Sequence, residues 1–170
     1  MDKVVLTRRA LVGALAALAA APGLAAAAPP LAGIRFREIR VDVAPLRANG
    51  SEDFADWVAA ELPGLLRKSF AAYLAPGDRN ASTLVARIDE VFLGPAGSMI
   101  DDPSGDARDG IQGTGIVLGP NGKPIASYPL YSAVGADTYF GMPYQLEITQ
   151  RRVETLAQSF AQWLPGQMGL

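Results

Sequence analysis

Neither cysteine nor histidine occurs anywhere in the chain. The missing thiol excludes disulfides, thiolate metal sites, a cysteine nucleophile and a lipid-modified N-terminal cysteine. The missing imidazole removes the commonest zinc ligand, the usual general base and a simple switch near neutral pH. Charge is sparse too: charged residues make up 19% and the formal net charge is −2, so no basic field is present to hold nucleic acid. What remains for chemistry is carboxylate and hydroxyl, and what remains for stability is packing.

Hydrophobic residues make up 49% of the 170 positions, the balance of a globular chain with enough length to build one sizeable core. No internal repeat stands out. The spacing of apolar residues therefore has to supply the organisation.

Residues 1–27 read as a cleaved export signal, followed by a single domain over residues 28–170. Lys3, Arg8 and Arg9 form a basic start, Leu11 to Leu24 an apolar middle, and Ala25-Ala26-Ala27 a small-residue cleavage pattern. An uncleaved membrane anchor is the competing reading, since no charge occurs from Ala10 through Ile34. The run is mostly alanine, however, and Pro22, Gly23, Pro29 and Pro30 interrupt it, which disfavours a span. Cleavage leaves twelve basic against sixteen acidic side chains, and no stable membrane anchor.

Within this segment Thr7-Arg8-Arg9-Ala10-Leu11-Val12 resembles the twin-arginine export motif, Ser/Thr-Arg-Arg-x-hydrophobic-hydrophobic. That resemblance implies a domain that folds before it crosses the membrane. A general secretory signal with two neighbouring arginines is the other reading. Both point to a bacterial periplasmic location or beyond.

The first strand is expected over residues 31–45, where Ile39, Val41 and Val43 alternate with Arg40 and Asp42. Ile34 and Phe36 have the opposite parity, so a bulge near Arg37-Glu38 is expected. A helix follows over residues 51–74, capped by Ser51 and carrying Phe54, Trp57, Val58, Leu62, Leu65, Leu66, Phe70 and Tyr73 at helical spacing. Pro63-Gly64 is expected to kink or split it. Residues 82–93 read as the second strand, and residues 94–110 as an acidic, glycine-rich loop.

The stretch Ile111 to Val134 is the one around which the other elements make most sense as partners. Two β-prone runs flank Asn121-Gly122, a pair that tolerates the positive φ of a hairpin turn. Pro129 inside the second run suggests an edge strand. Gly113-Thr114-Gly115 lacks the ending of a phosphate loop and reads as close packing or a bulge. A final helix is expected over residues 143–164, with Leu146, Val153, Leu156, Ala157, Phe160 and either Trp163 or Leu164 on one side and Pro165-Gly166 as its stop.

The order β-α-β-β-β-α predicts an α+β two-layer sandwich, with two helices packed on one face of a four-stranded, mostly antiparallel sheet. That order resembles small bacterial envelope domains: the N-terminal domain of the Tol-system β-propeller protein, the periplasmic domain of the curli secretion lipoprotein and the lipopolysaccharide-transport plug lipoprotein. The resemblance implies a partner-binding role rather than catalysis. The chain departs from it in having no lipidation cysteine.

Few residues suggest chemistry. Asp101, Asp102, Asp106 and Asp109 are dense enough to collect calcium, but they match no calcium-loop spacing and read as a solvated acidic loop. Asp89 and Glu90 neighbour one another in a strand and so point to opposite faces, which prevents them from sharing a proton. Glu90 then either faces inward with Ile88 or reaches solvent at the strand end. No serine sits in a nucleophile motif.

The aromatic group Tyr128, Tyr131, Tyr139, Phe140 and Tyr144, with Met142, offers either a recognition surface or a seal for the sheet edge. The sequence thus predicts a non-enzymatic periplasmic or envelope-associated protein, without catalytic, cofactor or metal residues. It would bind an envelope protein through an open sheet face or through this aromatic stretch. A carrier of a small apolar ligand is the second reading, and a carboxylate-based hydrolase the third.

Overall fold

The computed structural model describes residues 31, 33–94, 108–135 and 146–170. Four strands form one sheet in the order β1 (Phe36–Asp42), β2 (Ser82–Phe92), β3 (Arg108–Leu118), β4 (Pro124–Gly135). β1 and β2 are parallel, and the two remaining pairs are antiparallel. Helices α2 (Glu52–Ser69) and α3 (Leu146–Gln167) pack against one face, which makes the α+β sandwich the sequence predicts.

The parallel β1–β2 pair needs a crossover, and α2 supplies it. β1 is shorter than its alternation suggests because Pro45 opens a five-residue helix, α1 (Ala44–Ala48). Proline is at home in a first helical turn, and Asp42 Oδ1 accepts the Ala44 N–H at 2.9 Å. The expected bulge falls between Phe36 and Glu38 and brings Phe36 and Ile39 to the same buried side.

Two expectations about helix ends are corrected, at Ser51 and at Pro165-Gly166, and of the two outcomes expected at Pro63 the split does not occur. Ser51 makes no side-chain cap, although its carbonyl accepts the Ala55 N–H at 2.9 Å. α2 runs unbroken through Pro63; the Ala59 carbonyl deprived of its usual partner lies on the exposed side, where water can serve it. α3 continues past Pro165-Gly166 to Gln167. Pro165 occupies its last turn, and Met168 closes over the core with its N–H on the Leu164 carbonyl at 3.0 Å. Pro143, the expected start of α3, lies outside the described residues.

Inward residues of the sheet (Ile39, Leu84, Ala86, Ile88, Ile111, Val117, Tyr128) meet Val58, Leu62, Leu66, Val153, Leu156, Phe160 and Leu164 from the helices. Phe36 and Phe70 meet edge to face at 5.7 Å. Gly113 and Gly115 let α3 approach the sheet. A β-carbon at Gly115 would stand 2.8 Å from a Leu164 methyl, and one at Gly113 would strike the Arg87 carbonyl and come within 3.2 Å of the Phe160 ring. The hairpin turn closes through Gly122 N–H to Gly119 C=O at 2.9 Å, with Gly122 at φ 76°. Asn121 Oδ1 accepts the Lys123 N–H at 3.0 Å.

Candidate functional site

Register fixes what is displayed on the face of the sheet that no described helix covers. Arg40, Val85, Ile116 and Ser127 stand side by side across the four strands, followed by Asp42, Arg87, Thr114 and Pro129. A bulge between Ile88 and Glu90 then reverses the parity of β2. Val91 drops into the core, and Glu90 and Phe92 turn to solvent. This resolves the alternative left open for Glu90. Asp89 pairs instead with Arg87, its Oδ1 accepting from Nε at 2.9 Å.

Beyond the bulge the next rows are Glu90–Gln112–Tyr131 and Phe92–Gly110–Ala133. These rows enclose a shallow groove of about 200 Å³ lined by Glu90, Phe92, Gly110, Gln112 and Tyr131. The Tyr131 ring leans diagonally over β3 onto Gly110, where an added β-carbon would lie 2.7 Å from Oη and 3.0 Å from the ring. A glycine here is what lets the ring lie flat on the neighbouring strand. Tyr131 is nonetheless 62% exposed, and Phe92 is 55% exposed. Two aromatic side chains with a carboxylate and an amide between them form a surface with apolar area and directional hydrogen-bonding groups.

The six aromatic-region candidates divide three ways. Tyr131 is on the open face. Tyr128 faces the core: even-numbered β4 positions point at the helices, and Tyr128 is 3% exposed, so burial pushes its hydroxyl pKa up from the ordinary tyrosine value. Tyr139, Phe140, Met142 and Tyr144 lie outside the described residues. Glu90, Phe92 and Gln112 were not foreseen as site residues. The signal for Phe92 was present in Val91-Phe92-Leu93, three large apolar residues that cannot all face inward from one strand.

The acidic stretch is corrected at one position. Asp109 belongs to β3, is wholly buried, and is not part of a solvated loop. Its Oδ2 accepts from Arg152 Nε at 2.8 Å, and its Oδ1 accepts both from Arg152 Nη2 and from the Gly94 N–H, the latter at 3.0 Å. Arg152 Nη2 also donates to the Gly94 carbonyl at 2.6 Å. The ion pair thus ties the end of β2 and the start of β3 to α3. Asp101, Asp102 and Asp106 lie outside the described residues. Among the described residues no group of three or more acidic side chains is placed to hold a metal ion. Among the described residues that line the Tyr131 groove, Glu90 is the one carboxylate, so they form no facing pair of the kind a glycosidase uses.

Further grooves lie elsewhere on the surface: one of about 340 Å³ at residues 50–54, and one of about 380 Å³ beside β1, which includes Arg37, Glu38 and Arg67. Neither is an apolar chamber between helices and sheet of the kind a carrier would need. No described helix is long and apolar enough to cross a membrane.

No known protein family matches the chain, and no curated protein does. Solved structures do. The PelC dodecamer of Paraburkholderia phytofirmans aligns over 77% of this chain and 92% of its own, at 15% identity and a TM-score of 0.36. A minor lipoprotein of Acinetobacter baumannii aligns over 78% and 93% respectively, at 15% identity and a TM-score of 0.39.

Proposed function

We propose that this chain is a non-enzymatic, exported protein of the bacterial envelope that binds a partner protein through the open face of its sheet. The observation that carries the reading is the groove at Tyr131. Of its two aromatic side chains, Phe92 is turned to solvent by the bulge in β2 and Tyr131 by the alternation of β4, while Gly110 in the strand between makes room for the Tyr131 ring. Tyrosine and phenylalanine at the centre of a small flat patch are the residues that dominate protein interfaces, and Glu90 and Gln112 supply directional contacts. The export signal read in residues 1–27 supports the location. The lack of both imidazole and thiol, together with a single carboxylate among the described residues lining the groove, supports binding over bond-making.

Site-specific photo-crosslinking in the source cells tests this. A photoreactive amino acid placed at Tyr131 or at Phe92 should give the same discrete adduct. The same group at exposed Gln158 on α3 should not. Adducts equally abundant at all three positions would contradict the assignment.

A further inference from the structure

Four arginines of this acidic protein gather around one edge of the sheet. Arg35 and Arg37 stand at the start of β1, Arg67 in the last turn of α2, and Arg79 just before β2. Arg35 Nη1 donates to the Ala72 carbonyl at 2.5 Å, and Arg37 Nε donates to Thr83 Oγ1 at 3.2 Å, so both guanidinium groups are held in place. Arg67 is exposed and has no ion-pair partner among the described residues. The nearby acidic groups are engaged elsewhere: Glu38 pairs with Arg40 at 2.7 Å, and Asp78 Oδ1 accepts the Asn80 N–H at 2.8 Å.

Beside these arginines lies the groove of about 380 Å³, with Ile39, Leu74 and Pro76 as its apolar part and Arg37, Glu38 and Arg67 as its charged part. One wall is an edge strand. On the side away from β2, β1 is bridged among the described residues at Phe36↔Leu74 alone. An exposed strand edge invites an extended peptide, whose main chain supplies affinity and whose alternate side chains supply specificity. Guanidinium groups flanking such an edge match carboxylates in geometry as well as charge.

We infer that this groove takes an extended acidic segment of a partner protein, laid along residues 38–42 of β1 with its carboxylates on Arg67 and Arg37. The surface is at the opposite sheet edge from Tyr131, and either assignment can fail without the other.

The test uses the full chain and a fluorescein-labelled peptide alternating valine with glutamate, against the same peptide with lysine for glutamate. The glutamate peptide should bind at low salt and weaken as salt is added. Arg67→Glu should reduce its affinity by about tenfold or more, whereas Tyr131→Ala should leave it unchanged. Amide exchange should slow in β1 and not in β4. Absence of binding, equal binding of the lysine peptide, unchanged affinity in Arg67→Glu, loss of affinity in Tyr131→Ala, or protection confined to β4 would overturn the inference.

Discussion

Arg152 on α3 reaches across the buried layer to Asp109 at the start of β3 and holds it at two points, with both side chains almost wholly removed from solvent. Such a pair gains little over apolar packing, yet removing one member strands a buried charge. Asp109→Leu and Arg152→Met should each lower unfolding stability by roughly 3–5 kcal/mol. The double variant Asp109→Leu with Arg152→Met should recover much of that loss, as a denaturant double-mutant cycle would show. Additive losses would mean that the pair does not act as a unit.

Glycines of β3 should differ in their tolerance of a methyl group. At Gly113 the obstacle is the Arg87 backbone and at Gly115 a buried Leu164 methyl, while at Gly110 it is the movable ring of Tyr131. Thermal or chemical denaturation should show Gly113→Ala and Gly115→Ala each losing about 1–3 kcal/mol. Gly110→Ala should lose less and shift the Tyr131 ring resonances.

Tyr128 gives a pH dependence with a definite sign. Its pKa is raised in the folded protein because burial disfavours the phenolate. The native state therefore keeps the proton after the unfolded chain has released it, and stability falls as pH rises above the ordinary tyrosine value of about 10. Below that value this contribution is fully present. Urea titrations across that range should show a shallower alkaline decline in Tyr128→Phe than in the parent protein.

Exposed aromatics on the open face carry little of the fold. Phe92→Ala should change stability by no more than about 0.5 kcal/mol. Tyr131→Ala should cost up to about 1 kcal/mol, through its lost contact across β3. A melting curve collapsed by either change would show that these rings serve packing.

Legibility followed the physics of each signal. Period-two alternation gave β2, the β-prone runs flanking Asn121-Gly122 gave β3 and β4, and the parity clash between Phe36 and Ile39 gave the β1 bulge, since alternation and parity follow from which face is buried. Proline misled in both directions. Pro45 opened a helix inside an expected strand, while Pro63 and Pro165 did not end theirs, because the one lies in a helix long enough to tolerate a missing N–H and the other in a last turn. The bulge at Asp89 was hidden, since its effect appears only when Glu90 and Val91 exchange faces. That reversal is also why Phe92 was missed while Tyr131 was found. Arg152 could have been read: it falls on the same helical stripe as Val153, Leu156 and Phe160, and an arginine on an apolar stripe asks for a carboxylate partner.

The most direct measurement is the affinity between this protein and the partner crosslinked from Tyr131, for the parent and Tyr131→Ala proteins, with melting temperatures taken alongside. The account predicts an affinity loss of about tenfold or more, an alanine-scan cost near the hot-spot range, with little change in melting temperature. Undiminished affinity in Tyr131→Ala would contradict it.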